Sequence, residues 1–349
     1  MKNTNNTRLA TLAYIIITAV SLTLSYMVYE ETLQDYNFGF AIMIFSVLSA
    51  LSIGLVYQPI QRSLFSFLNI PIAPEEEGMS IKEAFKRQPK WIYLNGVLGA
   101  AAFCCLLPYL NSIDNAVLFI IIGSVGRLIQ VPLSQLFLDD IIEKTGIYYI
   151  GLILCVLGTI YFQMSGCTST SLGYSTGGLM SALVYLFITS FNSIIYKYGT
   201  VPKHVGADRF ISVKCAAIIV QIIEAFAGLL VGAYLISKSG DIYDIIPTST
   251  ELLGLIVVGT IVPITYTLSA RLTNHIDHSI SRAADGLRII LGTLLAIVFS
   301  LLTGDTTFLE VSPEHKLLAL IIICLGTYVS FRGNPGGIKN SKTLKTQLS

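Results

Sequence analysis

Long apolar runs with almost no charged residues recur along the whole of this 349-residue chain. A helix needs about 20 apolar residues to cross the hydrocarbon core of a bilayer. Only 12% of the residues are charged, whereas a soluble domain has about 25%. These runs therefore predict an all-α polytopic membrane protein with the lipid bilayer as its surroundings. The net charge of +1 gives no indication of a nucleic-acid partner.

We predict ten transmembrane helices, and the lysines and arginines predict their orientation, because cytoplasmic loops are enriched in both. The spans cover residues 9–29, 38–58, 91–110, 114–138, 147–164, 174–196, 208–236, 251–270, 277–303 and 315–331. With the N-terminus in the cytoplasm, only Lys238 and Lys316 of the 22 basic residues fall on the opposite side. The basic residues within spans are Arg127, Lys214, Arg282 and Arg288. Both termini are therefore predicted to be cytoplasmic, and the choice between Golgi or ER and plasma membrane stays open.

Short segments recur in the same order in the two halves of the chain. The matched pairs are Ile113-Asp114 with Ile276-Asp277 and Leu157-Gly158-Thr159 with Leu325-Gly326-Thr327. They predict two five-helix repeats, residues 1–166 and 167–349, with a disordered C-terminal tail from about residue 333. Because five is odd, the two repeats are inverted relative to each other. Inverted repeats are common in transporters, which bind solutes near the middle of the membrane between the repeats.

Spans 4 and 9 each carry polar residues at helical spacing inside an apolar run. Arg127 and Gln130 share a face of span 4, and Asp285 and Arg288 share a face of span 9. Ionisable groups at membrane depth usually face a bundle interior or a watery cavity, and paired guanidiniums can hold a phosphate or carboxylate. Asp285 alone cannot neutralise the charges of Arg127, Arg282 and Arg288, which favours a bound anion. Two alternatives stay open: these groups only tie helices together, or Arg282 reaches toward the cytoplasmic interface.

Further polar residues occupy spans 1, 6 and 7. Tyr185 and Asn192 in span 6 suit a hydroxyl-bearing substrate, and span 1 has a similar stripe. That stripe consists of Tyr14, Thr18, Ser21 and Ser25. Serine and threonine in such helices also bond to backbone carbonyls. Glu224 in span 7 is a candidate for proton coupling or a counter-ion for the arginines, and Lys214 either binds substrate or extends to the interface.

The longest loop, residues 59–90, contains Ser80-Ile81-Lys82-Glu83, which fits a capping box at the start of a short amphipathic helix. This helix either rests on the membrane surface or serves as a regulatory or partner-binding surface. The chain has no catalytic motif of the metalloprotease, hydrolase or P-loop kind. We therefore expect no enzyme activity, no metal and no cofactor.

In span count, span order and the Leu-Gly-Thr endings of spans 5 and 10, the chain resembles the drug/metabolite transporter superfamily. Arg127 lies about where the nucleotide-sugar and sugar-phosphate branch often has a basic residue. The resemblance implies a secondary transporter that moves an anionic metabolite by alternating access. Pro132 resembles the amino-acid and drug exporter branch, which is the alternative. A non-transporting membrane scaffold is the third hypothesis, and a homodimer is left open.

Overall fold

The structure is a computed structural model, and every regular element among the residues that it describes is a helix. The described residues are 9–21, 38–70, 78–112, 116–139, 142–164, 176–239, 249–273, 276, 278–303 and 313–334. The helices are α1 (Leu9–Ser21), α2 (Phe38–Leu55), α3 (Tyr57–Phe67), α4 (Ile81–Lys86), α5 (Lys90–Ser112), α6 (Ala116–Phe137), α7 (Thr145–Met164), α8 (Thr176–Thr200), α9 (Pro202–Val205), α10 (Val213–Ser239), α11 (Ser249–Thr273), α12 (His278–Thr303) and α13 (Pro313–Gly333).

Three helices are long and apolar enough to cross a membrane within the described part of the chain. They are the segments Thr145–Phe162, Val213–Lys238 and Leu252–Thr273. A fourth span is present if two helices that meet at a bend of 55° are counted together. These helices are Met43–Leu55 and Tyr57–Phe67. This all-helical architecture is compatible with an integral membrane protein.

A row of exposed apolar side chains lies on one face of α10. Ile222, Phe226, Leu230 and Tyr234 repeat every fourth residue, and more than half of each side chain is exposed. A soluble protein rarely leaves a continuous apolar strip of this kind in water. The strip is therefore suited to contact with lipid.

The structure corrects the predicted end of span 2. We predicted a loop from residue 59, but helix α3 continues to Phe67 after the 55° bend. The bend has a physical cause in Pro59, which lacks an amide hydrogen and whose ring clashes with the carbonyl four residues earlier. Proline is tolerated in the first turn of the new helix. Buried Tyr57, Gln61 and Phe65, at spacings of four, then form its inner face.

The helix start predicted at Ser80 is confirmed. The Ser80 side chain accepts a hydrogen bond from the Glu83 amide at 3.1 Å and starts helix α4. In contrast, span 7 begins later than predicted, at Val213 instead of residue 208. The preceding residues form a turn after Gly206, whose φ of 90° favours glycine. The tail after Asn334 and the paired Ile113-Asp114 segment lie outside the described residues.

The chain divides into two compact units, each of which takes helices from both halves of the sequence. The first unit contains Met1–Thr23, Cys105–Ile194 and Leu272–Ser349. The second contains Leu24–Cys104 and Ile195–Arg271. The two inverted repeats stay a prediction, because a unit defined by contacts in space is not a repeat in sequence.

In the first unit, α7 and α13 pack along each other at glycines. A Cβ atom on Gly326 would lie 2.6 Å from the Cys155 amide nitrogen, and one on Gly158 would lie 2.8 Å from the Ile323 side chain. The Cys155 sulfur lies 3.2 Å from the Thr327 hydroxyl. Small residues that allow backbones to approach closely are typical of helix contacts in membranes. The two Leu-Gly-Thr segments thus belong to the two helices of this contact.

We expect Gly151→Ala on α7 to destabilise the protein, whereas Gly146→Ala on the same helix should not. A Cβ atom on Gly151 would meet the backbone of Ser330 and, at 2.5 Å, the Gly326 carbonyl oxygen, and backbone cannot move aside cheaply. Overpacking of this kind typically costs about 1–3 kcal/mol. No atom lies within 4 Å of a Cβ atom on Gly146. Thermal unfolding in detergent checks this, and equal midpoints for both variants would contradict the tight contact.

In the second unit, α10 packs against α2 and buries its first turns. The Cys215 thiol donates to the Met79 carbonyl at 3.4 Å, and the Tyr196 hydroxyl donates to the Val213 carbonyl at 3.1 Å. Ala84 of α4 and Ile92 of α5 are fully buried in the same apolar cluster. These contacts join α4, the start of α5 and the end of α8 to the start of α10.

Candidate functional site

Five polar side chains from three helices of the first unit meet in one cluster, which we call the arginine–aspartate cluster. Its members are Tyr14 of α1, Gln130 of α6, and Arg282, Asp285 and Arg288 of α12. The three charged residues recur at intervals of three, which puts them on adjacent turns of one helix face. The cluster therefore joins separate segments of the chain around one short charged stripe.

The carboxylate of Asp285 is the centre of this cluster and is only 1% exposed. One oxygen, Oδ2, lies 3.0 Å from Nη1 of Arg282. The other, Oδ1, accepts a hydrogen bond of 2.9 Å from the Tyr14 hydroxyl and lies 3.9 Å from Nη1 of Arg288. A buried carboxylate is tolerated only when it is paired and hydrogen-bonded, and both conditions are met here.

Arg282 makes several contacts with side chains of the cluster. Its Nη1 donates to Oε1 of Gln130 at 2.9 Å, in addition to the ion pair with Asp285. Its Nη2 donates to the Tyr14 hydroxyl at 3.3 Å. A planar guanidinium with several fixed donors is well suited to such multiple contacts. Arg282 thus links α1, α6 and α12.

Arg288 is held more loosely than Arg282. Its single ion pair to Asp285, at 3.9 Å, is too long for a hydrogen bond. Its Nε is buried and has no hydrogen-bond partner in the part of the chain that the structure describes. A buried donor without an acceptor is costly and uncommon in proteins. The side chain as a whole is 29% exposed, so it is accessible from outside the protein at atoms other than Nε.

The start of α12 is fixed by contacts with α7 and with the end of α13. The Tyr148 hydroxyl donates to the Ser279 carbonyl at 2.7 Å, and the Asn334 amide donates to the Ser279 hydroxyl at 2.9 Å. Tyr148 and Leu152 are fully buried against Ala283. These contacts position the helix turn that precedes the charged stripe.

Of the predicted substrate-binding residues, the structure brings Gln130, Asp285 and Arg288 into one cluster. Arg127 lies within α6, one helical turn before Gln130, but its side chain is outside the described part of the structure. Tyr185 and Asn192 are half-buried on α8 of the same unit. Their contact with a substrate stays a prediction.

Thr18, a member of the predicted stripe in span 1, and Thr189 on α8 use their hydroxyls within their own helices. Thr18 donates to the Tyr14 carbonyl at 2.6 Å, and Thr189 of α8 donates to the Tyr185 carbonyl at 2.8 Å. This is the backbone bonding that threonine often makes in membrane helices. These two hydroxyls therefore support helix geometry.

Lys214 and Glu224 lie on α10 of the second unit. The Lys214 ammonium group donates to Oε1 of Gln58, and the Glu224 carboxylate accepts a hydrogen bond of 3.0 Å from the Gln221 amide. Both charged groups thus have a neutral polar partner within their own unit. Their roles in substrate binding or ion coupling stay predictions.

Sequence reasoning did not assign Tyr14 and Arg282 to the site, although both are central to the cluster. The signal for Arg282 was its position one helical turn before Asp285, which permits an ion pair. Tyr14 stood out as a polar residue in an apolar run. No spacing along the chain relates α1 to α12, so the contact between Tyr14 and Asp285 required the structure.

No family model and no curated protein match this chain. Among solved structures, 26 chains match it. One, a crystal structure of a protein, aligns over 93% of this chain and 96% of its own length, with a TM-score of 0.61 and 15% sequence identity. At this identity the similarity shows a shared fold and carries no information on function.

Proposed function

We propose that this protein is a secondary transporter, of the drug/metabolite transporter type, that moves a polar anionic metabolite by alternating access. The proposal includes ten spans, arranged as two inverted five-helix repeats with both termini in the cytoplasm. It is supported by the presence of a helix at each of the predicted apolar runs. Those helices are α1, α2, α5, α6, α7, α8, α10, α11, α12 and α13.

The observation that carries the proposal is the loosely paired guanidinium of Arg288, which lies 3.9 Å from Asp285. Within the cluster, the charges of Arg282 and Arg288 exceed the single charge of Asp285. Arg282 directs both of its terminal nitrogens to protein groups, at 2.9 and 3.3 Å, whereas Arg288 has only the 3.9 Å contact with Asp285 among the described residues. An arginine can offer two parallel hydrogen bonds to a phosphate or carboxylate. An anion at the terminal nitrogens of Arg288 would supply both hydrogen-bond acceptors and the missing negative charge.

The same geometry provides a way to bind and release that anion. Asp285 lies near enough to Arg288 to compensate its charge partly when no substrate is present, but too far to occupy its donors. A substrate anion can therefore bind without first breaking a strong internal hydrogen bond. Asp285 stays anchored by Tyr14 and Arg282 throughout. The cluster thus acts as a pre-formed anion site.

The other predicted residues complete this proposal. Arg127 would add a second guanidinium from α6, and Tyr185 and Asn192 would contact the hydroxyl-bearing part of a sugar phosphate or nucleotide-sugar. Glu224 and Lys214 are proposed for ion coupling or charge compensation. The two repeats would rock about this site during transport.

Counterflow in liposomes tests the function directly. Purified protein is reconstituted, the vesicles are preloaded with one unlabelled solute, and entry of the same labelled solute is followed. The panel contains hexose phosphates, nucleotide-sugars, amino acids and neutral hexoses. We expect saturable exchange of a phosphorylated sugar. Exchange of amino acids alone would favour the exporter hypothesis, and no exchange of any solute by folded protein would favour a scaffold.

A further inference from the structure

A cavity of about 540 Å³ lies in the second unit, at the start of α5 and the end of α8. Its volume falls within the range of small-molecule sites, roughly 300–1,000 Å³. Its lining includes basic and ring-bearing residues, namely Lys86, Lys90, Trp91, Tyr198, His204 and Arg209. The arginine–aspartate cluster is in the other unit, so this cavity is a separate feature.

The charge of the cavity is strongly positive. Lys86 and Lys90 are exposed, and neither ammonium group has an ion pair within the described part of the chain. Arg209 is 76% exposed and has only a loose contact, at 3.9 Å, with Asp208. Three exposed cations and one acid therefore line the same concave surface, where the fields of the cations add. Such a surface favours an anionic ligand.

One further basic residue, Arg87, makes the cavity rigid. Its guanidinium donates to the carbonyls of Ala207 and Phe210, both at 3.2 Å, and pairs with Glu83 at 2.8 Å. It also lies 5.2 Å from the centre of the Phe210 ring. These contacts connect α4 to the turn after α9, so the cavity wall is pre-formed.

Aromatic rings also line the cavity. Trp91 meets Tyr198 edge to face at 5.1 Å, and the Tyr198 ring stacks on His204 at 5.4 Å. Gly199 allows α5 and α8 to approach, because a Cβ atom there would lie 2.8 Å from the Ile92 side chain. The cavity lining thus combines aromatic rings with exposed cations.

We propose that this cavity binds the phosphate group of an anionic ligand at Lys86, Lys90 and Arg209. The lysines act as point charges for phosphate, and the arginine adds directed donors. Two sources share this chemistry: the headgroup of a phosphorylated membrane lipid, and a soluble phosphorylated molecule. This inference is independent of the transport proposal.

The fluorescence of Trp91 provides the test, since it is the single tryptophan of the chain and lines the cavity. The full chain is placed in nanodiscs of phosphatidylcholine and titrated with sodium pyrophosphate, with sodium chloride at equal ionic strength as the reference. In a second arm, nanodiscs contain increasing amounts of phosphatidylinositol 4-phosphate. We expect a saturable change in Trp91 emission in one arm, which identifies the source of the phosphate.

Matched variants separate site binding from general charge attraction. The double variant Lys86→Ala/Lys90→Ala should weaken binding by about tenfold or more, because hydrogen bonds to charged groups are lost. The control Lys82→Ala/Lys144→Ala removes the same charge from exposed residues outside the lining and should bind as the wild type does. Arg209→Ala should give an intermediate loss. No saturable change in either arm, or equal weakening by both double variants, would overturn the proposal.

Discussion

Asp285→Asn should destabilise the protein more than any other single substitution in the arginine–aspartate cluster. The change leaves Arg282, only 15% exposed, without its ion-pair partner. Breaking a buried ion pair by removing one partner typically costs about 3–5 kcal/mol, because the remaining charge is buried and uncompensated. We expect a clear drop in the midpoint of thermal unfolding in detergent.

Two further variants identify the cause of that loss. Glu143→Gln removes an exposed carboxylate in the same unit and should leave the midpoint unchanged. The double variant Asp285→Asn/Arg282→Gln should be more stable than Asp285→Asn alone, since it removes the uncompensated charge together with its partner. If Asp285→Asn unfolds at the wild-type midpoint, the carboxylate does not hold the cluster together.

Arg288→Gln should have the opposite effect: the protein should stay folded but should no longer bind its substrate. Its ion pair is long and its side chain is 29% exposed, so removing its charge disturbs few protein contacts. A lost pair of charge-assisted hydrogen bonds, each about 1.5–3 kcal/mol, corresponds to at least about a hundredfold weaker anion binding.

Ligand-induced stabilisation measures this loss, because a ligand that binds only the folded state raises the unfolding midpoint. The phosphorylated sugar should stabilise the wild type and leave Arg288→Gln unaffected at the same concentration. Arg282→Gln is the matched comparison, because it removes the same charge from the same helix. It should lower the midpoint even without ligand, whereas Arg288→Gln should not. Equal ligand stabilisation of Arg288→Gln and wild type would show that Arg288 does not contact the anion.

The helices were predictable from the sequence because apolar runs of sufficient length have few alternative structures. The bend at Pro59 was missed because span 2 was predicted from a run of apolar residues. Such a run does not show that the helix resumes after a proline and continues into more polar residues. The late start of α10 was missed for a related reason: Phe210 and Ile211 are apolar and buried, yet they belong to a turn. An apolar residue can lie in a turn as well as in a helix, and the backbone geometry decides where the helix begins.

Part of the candidate site was predictable because its charged residues belong to one helix. Asp285 and Arg288 share a face at a spacing that any helix imposes. The contacts of Arg282 with Gln130 and Tyr14 join residues far apart in the chain, so they depend on how α1, α6 and α12 pack. The sequence left the role of Arg282 open, and its contact with Gln130 was not predicted.

The most direct test of the proposed function is the ratio of two counterflow rates, for a hexose phosphate and for the same hexose without its phosphate. The wild type should exchange the phosphorylated sugar much faster, because the anion supplies the acceptor that Arg288 lacks. In Arg288→Gln, reconstituted at the same density, this preference should fall by at least about a hundredfold. An unchanged ratio in the folded variant, or a wild type that does not prefer the phosphorylated sugar, would contradict an anion site at Arg288.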